Sequence, residues 1–285
     1  MRQFYALLTP GIKYMLFAAL AFSSMHALVK SISYIHVFEV LFFRSSITSV
    51  ICILYLKYYR ISLIGNTQKW LLLRAAAGLV AMTLFFVTLQ RMPMGASVSL
   101  KYLSPIFTAI FAVLFLKEKV RWVQWIFFLT ALGGVFLMKG FDPRIDPVNL
   151  VLGITGAVFA GWVYVIIRKI GEREHSLVIV NYFMLIAAVL SGLAMIPFWQ
   201  TPTPHEWTIL VGIGILGCLG QIGMTKGFQL ELASRVAPIR YMEIVYSLLI
   251  GLIWFDETYT VLSFLGIVLI LGSMLANMLV KQSKS

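Results

Sequence analysis

The sequence predicts an all-α integral membrane protein with ten transmembrane helices, arranged as two inverted repeats of five helices. Composition, the length of the apolar segments and an internal repeat each indicate this fold. Of the 285 residues, 60% are hydrophobic and 12% are charged, whereas about a quarter of the residues of a soluble domain are charged. The apolar surface of such a chain is expected to face lipid.

Ten continuous apolar segments are each long enough to cross a bilayer, which takes ~20 residues as a helix. Continuous segments predict helices, because the strands of a membrane barrel alternate apolar and polar residues over ~10 positions. Trp70 opens the third segment, Trp122 opens the fifth and Pro197 closes the seventh. In chain order the segments cover residues 12–30, 37–56, 70–90, 95–116, 122–138, 150–168, 176–198, 207–227, 235–255 and 260–280.

An internal repeat with an offset of 139 positions divides the chain into two halves. The matched residues are Lys30 and Lys169, His36 and His175, Gly78 and Gly217, Gln90 and Gln229, Lys101-Tyr102 and Arg240-Tyr241, and Glu118 and Glu257. The predicted units are a first repeat at residues 1–139, a connecting loop at 140–149 and a second repeat at 150–285. Each half has an odd number of segments, so the second is inverted, which is typical of alternating-access transporters.

The net charge of +12 is distributed unevenly between the two ends of the predicted bundle. One end carries Lys30, Arg91, Lys139 and Arg144, and we call it the weakly charged end. The other, the basic end, carries Arg2, Lys57, Arg60, Lys69, Lys117, Lys119, Arg121, Arg168, Lys169, Arg173, Lys226, Arg235, Lys281 and Lys284. By the positive-inside rule both termini face the cytoplasm. The charge therefore predicts a bacterial inner-membrane protein surrounded by lipid and does not indicate nucleic-acid binding.

Neither a metal nor a cofactor is predicted. Cys52 and Cys218 lie in different apolar segments and are interpreted as buried thiols, and the histidines have no ligand spacing. The first segment has the features of a leader peptide, but its repeat partner at 150–168 indicates that it is retained. No Walker motif is present, and the acidic residues are sparse and scattered, which argues against a membrane enzyme.

Motifs in the fourth and ninth segments resemble those of a known family. The first copy reads Met92-Pro93-Met94-Gly95-Ala96-Ser97, then Leu100, Tyr102-Leu103-Ser104-Pro105-Ile106-Phe107 and Lys117-Glu118; the second has Ala233 to Pro238, Tyr241 and Phe255-Asp256-Glu257. The chain thereby resembles the EamA branch of the drug/metabolite transporter superfamily. One departure is that Ile244 stands at the position of the second copy that corresponds to Pro105, where the family often has proline. The resemblance implies a central cavity bounded by segments three, four, eight and nine, with contributions from one, two, six and seven.

Basic residues inside apolar segments are costly and are candidates for function. Lys13 and Arg74 lie near segment ends, so we expect them to extend to the interface. Lys101 and Arg240 are repeat partners and are expected on opposite sides of the midplane, as two points that hold an anion. Organophosphate-translocating relatives similarly use basic residues on these two helices. In the alternative interpretation each cation pairs with a carboxylate, such as Arg240 with Glu243.

Other candidate substrate-binding residues lie at intermediate depth. Arg44 is expected to face the cavity or a carboxylate such as Glu243, and its repeat position is Phe183, so this charge breaks the symmetry. Ser104 is likewise matched by Glu243. Polar and aromatic residues complete the predicted cavity: His26, Phe85, Tyr102, Trp162, Gln221 and Tyr241. For Phe85, ordinary packing is the alternative interpretation. Glu118 and Glu257 are expected to cap a helix or to pair with a base.

The predicted function is secondary transport of a small charged or zwitterionic metabolite with an anionic group: an amino acid, an organic acid or a nucleotide-like compound. Glu39, Glu243 and His26 are candidates for proton coupling, and exchange against a counter-substrate is the alternative energy source. The predicted assembly is a monomer or a homodimer. The alternative functions are those of a polytopic membrane enzyme or of a channel.

Overall fold

The structure is a computed structural model that describes residues 9–116, 122–141, 145–230, 240 and 242–279. These residues form eleven α-helices and no β-strand. The helices are α1 (Pro10–Ser31), α2 (Val37–Tyr58), α3 (Gln68–Arg91), α4 (Met94–Lys101), α5 (Ser104–Leu116), α6 (Trp122–Phe141), α7 (Pro147–Ile170), α8 (Ser176–Met195), α9 (Pro204–Leu230), α10 (Met242–Trp254) and α11 (Val261–Leu279).

Helices occupy all ten predicted segments, but the fourth is divided into α4 and α5 at Tyr102 and Leu103. Pro105 explains the division, because it has no N–H group to donate to the carbonyl of Lys101. The chain instead makes a tight turn in which the N–H of Tyr102 is shared between the carbonyls of Val98 and Ser99. The turn directs the side chain of Tyr102 toward the start of α10.

Seven of the described segments are long and apolar enough to cross a membrane, and three shorter apolar helices accompany them: Trp122–Val135, Met242–Trp254 and Val261–Ser273. Large apolar side chains on their outer faces, such as Leu54, Leu193 and Ile253, are exposed. An apolar outer surface fits a lipid environment. That all ten segments span the membrane, and that both termini are cytoplasmic, stay predictions.

The packing of the helices follows the internal repeat. The most extensive contacts are α1 with α9, α6 with α11, α2 with α8, and α3 with α7. Exchanging the halves converts the α1–α9 pair into the α7–α3 pair and leaves the α2–α8 and α6–α11 pairs unchanged. A two-fold relation between the halves produces this pattern.

Two repeat-related histidines begin equivalent helices in the same way. The Nδ1 atom of His36 accepts from the N–H of Phe38 at 3.4 Å, and that of His175 accepts from the N–H of Leu177 at 3.3 Å. Each imidazole satisfies one of the four N–H groups that the first turn leaves without a helical partner. The repeat is therefore preserved in local structure as well as in residue type.

Glu257 caps the start of α4 at the weakly charged end, as the sequence predicted. Both of its carboxylate oxygens accept from the N–H of Met94 at 3.0 Å, and Oε1 lies 2.9 Å from Nζ of Lys30. The left-handed conformation of Asp256, with φ of 48°, turns the chain so that the carboxylate points back toward α4. Glu118, its repeat partner, lies outside the described residues.

Candidate functional site

A cavity of about 180 Å³ lies within the bundle. Residues of α1, α2, α3, α4, α7, α8 and α9, together with Arg240, line it. These correspond to the segments that the family resemblance implied. The side chains that carry a positive charge are Arg44, Arg74, Lys101 and Arg240.

Glu243 is the centre of a hydrogen-bonded cluster beside this cavity. Its side chain is 1% exposed, and Oε1 lies 2.7 Å from Nζ of Lys101 and 3.5 Å from Nδ1 of His26. The hydroxyl of Tyr102 donates to Oε2 at 2.8 Å. The helix break places Tyr102 here. Its hydroxyl also lies 2.8 Å from the carbonyl oxygen of Arg240.

The interpretation in which Arg240 pairs with Glu243 is wrong. The guanidinium of Arg240 donates to the hydroxyl of Tyr164 at 3.3 Å, whereas Glu243 forms its ion pair with Lys101. Nζ of Lys101 and Cζ of Arg240 lie 5.7 Å and 5.8 Å from the ring centre of Tyr102, so both side chains are next to the same ring. That the two cations lie on opposite sides of the midplane stays a prediction.

Arg44 faces the cavity, as predicted, and has no carboxylate partner among the described residues. Its side chain is 4% exposed. Nε donates to the sulfur of Met25 at 3.3 Å, and Nη1 contacts the sulfur of Met82. A Cβ atom on Gly217 would lie 3.2 Å from Nε, so the absence of a side chain there makes room for the guanidinium.

Arg74 contradicts the expectation that it extends to the interface. It lies six residues into α3, is 8% exposed and lines the cavity. Cζ lies 4.1 Å from the ring centre of Phe183, and Nη1 is next to Gly78. Nε and Nη1 have no hydrogen-bond partner in the described part of the chain. The side chain turns inward because the rotation of α3 directs this position at the bundle, where Gly78 leaves space.

Three further predicted residues line the cavity: His26, Phe85 and Gln221. The ring of His26 packs edge-on against Phe85 at 4.9 Å, and Nζ of Lys101 lies 4.8 Å from the centre of that same ring. The aromatic face of Phe85 therefore covers the lysine that pairs with Glu243.

Trp162 does not line the cavity. It packs in an apolar cluster with Leu71, Ile166, Ile170 and Ile179, on another face of α7. The cavity-facing positions of α7 instead include Gly156, Ala160, Tyr164 and Ile167. Their helical spacing and small residues are the signal that could have identified Tyr164, which the sequence analysis missed.

The remaining predicted residues lie elsewhere. Glu39 is buried in the first turn of α2 and accepts from the N–H of Gln200 at 3.3 Å, away from the cavity lining. Tyr241 lies outside the described residues. Cys52 and Cys218 are free and buried. Within the described ranges, no group of three His, Cys, Asp or Glu side chains could hold a metal ion.

Known proteins are similar to this chain in sequence and in fold. The model of the EamA-like transporter family matches residues 9–140 and 148–279. The chain is 32% identical to the pseudopaline exporter CntI of Pseudomonas aeruginosa over 273 residues, which cover 95% of this chain and 96% of the exporter. It is 28% identical to the S-adenosylmethionine uptake transporter of Rickettsia bellii, covering 78% of this chain and 77% of that protein. The alignment with one solved crystal structure covers 92% of this chain and 94% of the chain in that structure. Its TM-score is 0.68 and the sequence identity is 19%, which shows that the fold is shared.

Proposed function

Because the chain belongs to the EamA-like transporter family, we propose that it is a secondary transporter that moves a metabolite with an anionic group by alternating access. The family and the named relatives are transporters. The chain is accordingly an integral membrane protein of the inner membrane that transports small metabolites, and it is not an enzyme.

The observation that carries the anionic part of the proposal is the charge of the cavity. Four basic side chains line it, and the carboxylate of Glu243 is the single described acid in ion-pair contact with any of them. A buried charge without a partner is costly. An anionic substrate would supply the missing negative charge.

Alternating access would use the two inverted halves. At the weakly charged end, Lys30 donates to the carbonyl of Met92 at 2.7 Å, and the hydroxyls of Thr88 and Ser97 lie 2.8 Å apart, so α1, α3 and α4 are joined there. The cavity lining extends from Thr88 and Ser97 near this end to Ile167 near the basic end. In alternating access, the contacts between α1, α3 and α4 would have to break for the weakly charged end to open.

The Glu243 cluster is the proposed place for coupling to protons. His26 and Glu243 are buried and adjacent, and Lys101 pairs with the same carboxylate, so protonation of Glu243 would release Lys101. Glu39 lies away from the cavity and has no such connection. Exchange against a counter-substrate is the alternative, and either mechanism suits a monomer or a homodimer.

Counterflow in proteoliposomes tests the function. Purified protein is first screened by thermal unfolding against organic acids, amino acids and nucleotides, each with an uncharged amide or ester analogue. Stabilising compounds are then loaded unlabelled into vesicles, and entry of the labelled compound is followed. We expect saturable counterflow of an anionic compound, its loss in Arg44→Gln, and its retention in Arg173→Gln, a control that removes an exposed arginine. Counterflow of neutral or cationic compounds alone would contradict the proposal.

A further inference from the structure

The two arginines on the α2 and α3 side of the cavity differ from the two basic residues beside Glu243. Lys101 has a carboxylate at 2.7 Å, and Arg240 has the hydroxyl of Tyr164. Arg44 contacts two thioether sulfurs, and Arg74 lies over an aromatic ring with Nε and Nη1 unpartnered within the described residues. Arg44 and Arg74 are therefore the two basic residues of the cavity for which the described residues supply no oxygen as hydrogen-bond acceptor.

Arg44 and Arg74 approach neighbouring turns of the same helix. Nη1 of Arg44 contacts Met82, and Nη1 of Arg74 lies beside Gly78, four positions earlier on α3. Four residues correspond to a rise of about 6 Å along a helix. This rise is the spacing of the two contact points on α3, and both guanidinium groups line the same cavity, so one small ligand with two charges is placed to meet both.

The contacts that these guanidinium groups make within the chain are weak. A methionine sulfur is a poor hydrogen-bond acceptor, and an aromatic face attracts the cation without accepting its hydrogen bonds. A guanidinium presents five N–H donors in a planar fork that matches a carboxylate or a phosphate. Both side chains are more than nine-tenths buried and line the cavity, so an anion that enters the cavity meets N–H groups that have no protein oxygen as acceptor.

We propose that Arg44 and Arg74 form a dianion-binding subsite, at which the substrate presents two negative charges, either as one phosphate group or as two carboxylates. This inference rests on the proposed function and specifies its substrate class. Two charges are required because a single carboxylate would pair with one guanidinium and leave the other buried without a partner. The Lys101–Glu243 pair is internally neutral and remains available for gating.

The asymmetry of the repeat supports this assignment. Arg44 corresponds to Phe183, and Arg74 corresponds to Ile213, so neither arginine has a basic counterpart in the other half. Gly78 and Gly217 are repeat partners, and each provides the space beside one of the two guanidinium groups. The glycines are thus conserved between the two repeats, whereas the arginines beside them have no counterpart in the other repeat.

Thermal unfolding of the purified full-length protein in detergent tests the subsite. The probes are acetate, succinate, glutarate and inorganic phosphate, compared at constant ionic strength. We expect a dianion to reach half of its maximal stabilisation at a concentration about tenfold lower than acetate, because it engages a second guanidinium. Equal midpoints for monoanions and dianions, or no stabilisation by any of the four probes, would overturn the proposal.

Arg74→Met and Arg74→Lys separate ligand binding from a structural role. Without ligand, we expect Arg74→Met to unfold at a higher temperature than the wild type, because it removes a buried charge that lacks a partner, and to lose the preference for dianions. Arg74→Lys keeps the charge and should retain a reduced preference, whereas Arg173→Gln should behave as the wild type. Full dianion preference in Arg74→Met would refute the subsite. If an anionic substrate still shows counterflow in that variant, the transport function stands while the subsite does not.

Discussion

Nζ of Lys101 lies 2.7 Å from Oε1 of Glu243, and this contact joins the end of α4 to the first turn of α10. The two residues belong to different halves of the chain, so the ion pair crosses between the repeats. Tyr102 adds a second connection through the other carboxylate oxygen. The pair is therefore one of the contacts that hold the two halves in this arrangement.

Replacing Glu243 by glutamine is expected to destabilise the protein by about 3 kcal/mol, because removing one partner leaves a charge inside the protein without compensation. This is the lower end of the range for buried pairs, since Lys101 is 23% exposed. Thermal or denaturant unfolding in detergent measures the change. The double variant Lys101→Met with Glu243→Met should recover much of the loss, and a double variant less stable than Glu243→Gln would contradict this account.

Glu257→Gln is expected to weaken the cap of α4 by about 1–2 kcal/mol, the usual effect of losing a helix cap. A neutral amide cannot pair with Lys30, and its NH₂ group cannot accept from the N–H of Met94. The measurement is the unfolding temperature of the purified protein. Asp256→Asn provides a control at the neighbouring position, since asparagine also tolerates the left-handed conformation. Equal stability of Glu257→Gln and the wild type would argue against the cap.

Two adjacent glycines of α6 are expected to respond oppositely to alanine. A Cβ atom on Gly134 would lie 2.7 Å from the carbonyl oxygen of Gly266 on α11, whereas one on Gly133 meets nothing within 4 Å. We therefore expect Gly134→Ala to destabilise the protein by about 1–3 kcal/mol through overpacking. Gly133→Ala should be neutral or stabilising by up to about 1 kcal/mol, because alanine favours the helix. Unfolding temperatures of the two variants provide a matched comparison, and equal values would exclude close α6–α11 packing.

His36 gives the protein a predicted dependence on acidic pH. Burial lowers the pKa of His36 from its ordinary value of 6.5, because the charged imidazole is poorly solvated in its connection between α1 and α2. The unfolded chain therefore takes up a proton at a pH where the folded protein does not. The contribution of His36 is fully present above pH 6.5 and is lost as the pH falls toward the lowered pKa of the folded state.

His36→Asn isolates this contribution, because asparagine can still cap the helix but does not titrate in this range. We expect the unfolding temperature of the wild type to fall more between pH 8 and pH 5.5 than that of the variant. The difference between the unfolding temperatures of the wild type and the variant at pH 8 measures the cost of losing the stacking of His36 on Phe198, whose ring centre is 4.0 Å away. Parallel pH profiles of the two proteins would rule out a role for His36.

The positions of the helices and three of the four basic residues of the cavity, Arg44, Lys101 and Arg240, could be predicted from sequence, because both depend on local patterns. An apolar segment of sufficient length defines its own helix, and a charge within it, such as Arg44 or Lys101, is conspicuous. The repeat also matched His36 with His175, and the family pattern indicated that Glu257 caps a helix or pairs with a base. Each of these features is visible within one segment or in the comparison of two.

The errors concern the rotation of helices and the partners of charged groups. Arg74 and Trp162 were misassigned because the exposed and buried faces of a helix are not distinguished by polarity when lipid surrounds it. The pairing of Glu243 with Lys101 depends on the break at Tyr102, which brings α4 and α10 together. The distance between two helices such as α4 and α10 is a property of the tertiary structure and leaves no periodic pattern in the sequence.

Substitution of Arg44 by phenylalanine is expected to separate stability from transport. Phe183 occupies the repeat-related position and packs beside Gly78, as Arg44 packs beside Gly217, so the site has the geometry for an aromatic ring. Phenylalanine at position 44 would be surrounded by Met25, Met82 and Phe86 and would remove a buried charge. We expect a higher unfolding temperature together with the loss of anion counterflow.

Arg44→Met controls for the shape of the side chain, since methionine is flexible and fills irregular gaps. It should show the same separation of stability from transport. A decrease in unfolding temperature in both variants would assign Arg44 a structural role. Counterflow at the rate of the wild type in either variant would show that the substrate does not require this guanidinium. The combination of increased stability and lost transport is expected only if the arginine is kept for its ligand, because a charge that merely stabilised the bundle could not be removed with a gain in stability.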